Sequence, residues 1–482
     1  MASSWLLIEH GTVIDGAANP AQPDTAVLVK DNYIVAVGAD ATRAAVPRGE
    51  TLTVIDATGK SVLPGMIDAH CHMTYGEART EEEIDLYTSH ELRTLIAAWN
   101  MKKVLRGGVT SISQPGGSYF IGVGLREGLK EGLLEGPRTT SAGRYLSTSN
   151  SLTDWYPDSV GVPDGSVGIL TNTTDAVKDE IRRQVKAGVD MIKLADSPFG
   201  QYQAFTNDEM KFAADLTHQL NRKITIHARG SAELDAAVAA GFDWIMHGNV
   251  MSDDVIGRLA ESKIPLVPTL LLLANIADYG HLCGASAEQR DGAKMMLDVT
   301  AATLHKAHDA GVLFVAGTDS GFSVTPYGEW HARELQLLVD YAGLSPLEAI
   351  RAGTKNAAVT VNLAGQVGEI ARGKLADIIV VDGNPLEDLS VLWKKGHITA
   401  VVKDGKVVGF DDDEDTLERR FQHPDRAMVH SLSDLTRDVV YSDGEAGGMP
   451  GPSFGWSPGE AKEIANEIQA REVKAAAGQE IE

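Results

Sequence analysis

SVLPGMIDAHCHM, residues 61–73, is an apolar run that closes on two histidines, His70 and His72, at i and i+2. In an extended strand side chains alternate with period two, so both imidazoles lie on one face and Cys71 between them faces the other way. Four later runs carry a chemically useful residue at the same place. DMIKLAD at 190–196 holds Lys193, RKITIHA at 222–228 holds His227, DWIMHGN at 243–249 holds His247, and LFVAGTD at 313–319 ends on Asp319. Each run is short, rich in β-branched or aromatic residues and closed by a polar one, as strands buried on both faces are. Polar residues at the carboxyl ends of such strands sit where α/β barrels build active sites.

Outward from these motifs, eight strand candidates alternate with helical stretches: PGMIDAH, VTSIS, RTTSAG, MIKLA, ITIHA, WIMHG, PLVPTL and LFVAGT. The intervening TDAVKDEIRRQVKAG and AELDAAVAAG have helical periodicity. Eight such units predict an α/β fold, a (β/α)8 TIM barrel over 63–364. The long polar connection 145–168 is expected to lie over the active site. Residues 1–62 and 365–412 read instead as strands punctuated by Gly, Pro and Asp, which predicts a composite β-sandwich built from both termini. Beyond it, 413–482 is an acidic tail in which Ser457 and Pro458 open a candidate helix.

At 482 residues the chain is long enough for one large catalytic domain and a smaller one. A net charge of −24 argues against nucleic acid, whose phosphates reward clustered Lys and Arg. No apolar stretch approaches the length of a membrane span, and MASSWLLIEH lacks the basic region and cleavage site of a secretory signal. Two cysteines, Cys71 and Cys283, suit a reducing compartment. The expectation is a cytoplasmic enzyme with a small-molecule substrate and no nucleic-acid or membrane partner.

The ordered motifs, together with GVTSI at 108–112, HARELQLLVDYAGLSPLEAIRAGTKNAA at 331–358 and GKLADIIVVDGNPLEDL at 373–389, resemble the amidohydrolase superfamily over roughly residues 5–410. Within it the chain is similar to the imidazolonepropionase-like branch that holds ochratoxinase and Xaa-Pro dipeptidases. The stretch ADSPFGQYQ after Lys193 departs from the Gly-rich run of ochratoxinase-type relatives. The resemblance implies two divalent metal ions, zinc first, with manganese, cobalt or iron as alternatives. It assigns His70, His72 and Asp319 to the more buried ion and His227 and His247 to the other. Lys193, carboxylated by carbon dioxide, bridges them.

Physical chemistry supports the lysine's part, because an ammonium desolvated beside two cations is driven to the neutral amine that carbon dioxide attacks. The catalytic set is then Asp319, Lys193 and His247, with metal-activated hydroxide cleaving an amide, peptide-like, carbamate or urea-type C–N bond and Asp319 carrying the proton. A mononuclear aminohydrolase of a heterocycle is the alternative, disfavoured by Lys193, and a catalytically silent scaffold is the third reading. Family habit also implies a homo-oligomer.

Substrate contacts are read from position. Arg229, two residues after His227, projects from the same face and is suited to a carboxylate, with an ion pair to a barrel acid as the competing role. Tyr75, Tyr202 and His331 lie just beyond strand ends and are expected to line the pocket. Asp68 either orients a ligand or caps a local turn. His218, His305 and His308 read as structural.

Overall fold

The computed structural model describes residues 3–86 and 88–410, so the acidic tail and its candidate helix lie outside the described residues. Five strands come first: β1 (Ser4–Val13), β2 (Gln22–Lys30), β3 (Tyr33–Val37), β4 (Thr51–Asp56) and β5 (Lys60–Pro64). Then follow β6 (Met66–Asp68), β7 (Val109–Gln114), β8 (Arg138–Ser141), β9 (Tyr145–Ser147), β10 (Gly168–Leu170), β11 (Met191–Ala195), β12 (Lys223–Ala228), β13 (Trp244–His247) and β14 (Leu266–Val267). The chain closes with β15 (Ile378–Asp382), β16 (Ile398–Lys403) and β17 (Lys406–Val407).

Both ends of the described residues build one eight-stranded sheet in the order β17-β16-β15-β5-β1-β2-β3, with β4 added parallel to β1. β1 turns at His10, whose φ is 66°. Its first part therefore pairs β4 through Ser4–Glu9 and its last part pairs β5 through Thr12 and Val13. That bend folds the sheet over a core in which Ile8, Val27 and Val29 meet Val62, Ile378, Val380 and Val402.

The strands between are parallel and form two sheets, β10-β9-β11-β12-β13-β14 and β6-β7-β8. Parallel neighbours require crossovers, and helices supply them: Thr174–Ala187, Asn207–Gln219, Ser231–Ala240 and Asp253–Ser262 precede β11, β12, β13 and β14 in turn. Side chains of Thr173, Thr206 and Ser252 accept the first-turn amides that would otherwise be orphaned. In Thr174–Ala187 the buried Val177 and Ile181, four residues apart, form the apolar face, each contributing about 1.5–3 kcal/mol.

The expected eighth strand differs. Residues 313–319 run between β14 and β6, with Leu266 N donating to Leu313 O, Val315 N to Leu266 O and Ala69 N to Ala316 O. The ladder is broken because Ala316 N turns to Ala352 O, and Thr318 N is shared between His70 O and the Asp68 carboxylate. The parallel strands thus do not form one continuous closed sheet. A second difference is that the predicted loop 145–168 opens with β9, which pairs both β10 and β11.

Ile67, Ala69, Met191, Trp244, Met246, Val267 and Val315 pack together inside the parallel layer. Polar side chains are left for the other end of the strands. The two layers are tied by Arg138 on β8, which forms ion pairs with Asp377 and Asp404 at the edge of the folded sheet. Asp377 is nearly fully buried. Arg138→Met is expected to destabilise the protein by about 3–5 kcal/mol, because it strands that carboxylate. Urea denaturation checks this, and a shift below about 1 kcal/mol would contradict it. Among the described residues no helix is long and apolar enough to cross a membrane.

Candidate metal centre

His70 and His72 follow β6, Lys193 and His227 lie within β11 and β12, His247 ends β13, and Asp319 ends the irregular eighth segment. All six are buried and line one cavity of about 250 Å³ at the carboxyl ends of the parallel strands. His247 reaches it by breaking alternation. Trp244 and Met246 already point into the interior, so a regular strand would turn His247 outward. A left-handed backbone at φ 77° brings its ring to 4.4 Å from that of His227 instead. Asp319 is likewise left-handed at φ 56°. Such conformations cost about 1–3 kcal/mol each and gather at functional sites.

Three donor atoms converge. His70 Nε2 lies 2.9 Å from His72 Nε2, and Asp319 Oδ1 lies 3.3 Å from the first and 3.1 Å from the second. Ligands about 2.0–2.1 Å from one tetrahedral ion stand about 3.3 Å apart, so the trio has the spacing of a shared cation. In His72, His227 and His247 the ring nitrogen pointing away is held by the protein, whereas His70 Nδ1 is buried without a hydrogen-bond partner. His72 Nδ1 donates to Gly116 O at 2.9 Å, and His227 bonds the Pro198 carbonyl. His247 Nδ1 donates to Thr269 Oγ1 at 2.5 Å, because that hydroxyl spends its own proton on Pro268 O. The Nε2 atoms of His227 and His247 are buried with no hydrogen-bond partner in the protein. Buried polar atoms are ordinarily satisfied. The donor set therefore fits a metal, and ligand atoms of His70, His247 and Asp319 also lie within 4.8 Å of one another.

Electrostatics agree. Burial first, and then neighbouring positive charge, holds His70, His227 and His247 well below the usual imidazole range, in the neutral form that ligates. Burial alone would raise the Asp319 carboxyl, but His70, His72 and Lys193 around it keep it ionised far below the ordinary carboxylate range. The Lys193 amine is pushed down to about 7, mainly by desolvation. Its Nζ lies 2.7 Å from Met246 Sδ and 5.4 Å from the centre of the Tyr145 ring.

Of the expected substrate contacts, Arg229 and Tyr75 line the cavity and Tyr202 and His331 do not. Arg229 is held by Asn249, whose Oδ1 accepts from its Nη1 at 2.8 Å. Tyr202 is displaced because Asp196 accepts the amides of Ala204 and Phe205, which pulls its loop back on itself. Its hydroxyl donates to Asn150 O. His331 lies behind the converging side chains, its Nδ1 donating to Asp68 Oδ2 at 2.5 Å.

Asp68 itself accepts from His70 N, Thr318 N, Thr318 Oγ1 and His331, pinning the His70 and Asp319 segments together. It acts as the support that the sequence allowed. Asp68, Cys71 and His331 also lie close enough to share an ion. Those Asp68 oxygens are already occupied, however, and burial raises the Cys71 thiol well above its usual range.

Sequence reasoning missed Tyr145, Glu81, Trp155 and Thr269. The first three line the cavity, and burial raises Glu81 to about 7. Thr269→Val keeps the shape but loses the acceptor that fixes the His247 tautomer. Metal affinity measured by competition with a chelator is expected to fall about 10–100-fold, and an unchanged affinity would contradict the role.

Residues 61–408 match the amidohydrolase family. The chain is 26% identical over 432 residues to ochratoxinase of Aspergillus niger, which spans 83% of this chain and 86% of that protein. It is 26% identical over 415 residues to imidazolonepropionase of Geobacillus sp. (strain WCH70), with 79% and 89% covered. A solved Xaa-Pro dipeptidase with bound methionine in its active site aligns at a TM-score of 0.73 and 26% identity, over 84% of this chain and 99% of the dipeptidase. That likeness brings with it a TIM-barrel-type α/β fold. With the family match spanning well over half of its length and the ligand-bearing strand ends within it, the chain belongs to the amidohydrolase family.

Proposed function

We propose that this protein is a metal-dependent hydrolase that cleaves a C–N bond in a small carboxylate-bearing molecule, of the N-acyl amino acid or dipeptide type. The observation that carries the reading is the convergence of His70 Nε2, His72 Nε2 and Asp319 Oδ1 within 3.3 Å, beside the unpartnered Nε2 atoms of His227 and His247. In this reading the two parallel sheets, joined through residues 313–319, act as a (β/α)8 barrel whose rim holds the site.

His70, His72 and Asp319 would hold one divalent cation, zinc first, and His227 and His247 would hold a second. Lys193 would contribute donor oxygens once its neutral Nζ has added to carbon dioxide, forming an N–C bond and losing a proton to give a carbamate. When bound, the cations lower the pKa of water and polarise the scissile carbonyl. The Asp319 carboxylate accepts the proton of the attacking water and returns it to the leaving nitrogen. Arg229, fixed by Asn249, takes the substrate carboxylate. Tyr75, Trp155, Phe199, Leu272 and Phe322 supply an apolar wall that excludes water and accepts an apolar acyl or side-chain group. A dipeptidase among the similar structures supports the peptide-like end of the range.

The test is metal content per chain combined with a screen of N-acyl amino acids, dipeptides, carbamates and heterocyclic amines, with and without chelator. Two metals and chelator-sensitive amide cleavage are expected. One metal with ammonia release from a heterocycle would replace this reading by the aminohydrolase one. A metal-free, inactive folded protein would leave only a scaffold.

A further inference from the structure

Tyr145 begins the short strand β9 and lies at the cavity wall, 2% exposed, with its hydroxyl 3.1 Å from both nitrogens of His72. Neither contact is an aligned hydrogen bond. A point equidistant from the two ring nitrogens lies on the plane between them, away from the in-plane direction of either nitrogen. His72 Nδ1 has in any case given its proton to Gly116 O, and its Nε2 faces His70 and Asp319. The well-made bond of Tyr145 is to Tyr75, with the two hydroxyls 2.5 Å apart. Tyr75 in turn lies flat on the His72 ring, with centroids 4.4 Å apart and planes inclined by 13°.

Two phenols that share one hydrogen bond have one proton left to give. Either hydroxyl can be the donor in that bond. With Tyr75 donating to the Tyr145 oxygen, the proton left over is that of Tyr145, whose oxygen lies 3.1 Å from His72 Nε2, and a phenol that accepts a hydrogen bond is a stronger donor for its own proton. Position is enforced too: a Cβ at Gly116 would come within 1.6 Å of the Tyr145 ring, so that glycine's missing side chain is the space the ring occupies.

We propose that Tyr145, primed by Tyr75, is a further catalytic residue that donates a hydrogen bond to the substrate oxygen on which negative charge develops. Resting on the hydrolase reading above, it assigns Tyr75 as a positioning residue and leaves the proton on the phenol throughout. A donor aimed at that oxygen acts in the transition state rather than on the ground state, so its loss falls on kcat more than on KM.

Tyr145→Phe is expected to lower kcat about 100-fold, with KM changed less than about threefold and metal content unchanged. Tyr75→Phe should lower kcat about tenfold alone and add nothing in the Tyr145→Phe background, since it acts through that hydroxyl. Calorimetry with a tetrahedral phosphonate analogue of an N-acyl amino acid gives a readout apart from turnover. Tyr145→Phe should weaken the phosphonate by a factor similar to its loss in kcat, and leave a non-hydrolysable amide analogue bound as in the parent. An active Tyr145→Phe enzyme with parent kcat, or multiplicative effects of the two changes, overturns the proposal. If the parent binds the phosphonate but cleaves no C–N bond, the hydrolase reading fails. Phosphonate affinity in the variant then still decides whether Tyr145 is the donor.

Discussion

Asp319→Asn is expected to lower turnover by at least about 10³-fold on any compound the protein cleaves. The change preserves shape, so the loss comes from chemistry. Asp319 Oδ1 stands 3.3 and 3.1 Å from two imidazole nitrogens, and its charge is held ionised by the groups around it. In the proposed mechanism an amide there removes the anion that would complete the first cation's ligand set, and also the acceptor for the proton of the attacking water. Both losses act in the same step, so they are not additive with a change at His70 or His72. Kinetics of the purified variant, read beside its metal content, checks this. Activity within tenfold of the parent would remove Asp319 from proton transfer.

Lys193→Ala is expected to have the next largest effect. Lys193 is fully enclosed, its amine is brought to about 7 by desolvation, and its Nζ rests against Met246 and the Tyr145 ring. Enclosure costs a charged ammonium several kcal/mol, which favours the neutral amine, the form from which the proposed carbamate is made. Removing it takes away the proposed link between two cations. The variant should retain about one metal per chain where the parent is expected to hold two, and lose about 10²–10⁴-fold in kcat. Mass spectrometry of the parent under native conditions should show the added mass of one carbon dioxide. Two metals and parental turnover in Lys193→Ala would exclude the lysine from the mechanism.

The placement of the six side chains shows what the primary sequence can convey. Lys193 and His227 were legible because alternation within their apolar runs fixes the face, and His70 and His72 because their i, i+2 spacing puts both on one face, although Ala69 before His70 packs in the interior as Met246 does before His247. His247 was legible only by its place in the order. On alternation alone it belongs outside, and the left-handed turn at φ 77° that brings it in leaves no periodic trace. The same limit hid Thr269, another left-handed residue, at φ 53°. The strand at 313–319 failed as a strand because Thr318 N and Ala316 N find acceptors off the ladder, in the Asp68 carboxylate and Ala352 O.

Tyr145 was hidden for a different reason. Three residues make too short a run to separate from the polar connection around them. Tyr202 and His331 were misplaced because standing just beyond a strand end says nothing about direction. Three backbone amides turn the loop of Tyr202 back toward Asp196, and Asp68 draws His331 beneath the site. The terminal strands were expected from their alternation, whereas the bend at His10 that folds their sheet was not.

Anomalous diffraction from crystals grown with Zn²⁺ tests the central claim most directly. Two peaks are predicted inside the cavity: one about 2.0–2.2 Å from His70 Nε2, His72 Nε2 and an Asp319 oxygen, the other about 2.0–2.1 Å from the Nε2 atoms of His227 and His247. Absence of any peak within bonding distance of these side chains, at zinc concentrations that saturate the protein in solution, would contradict the account.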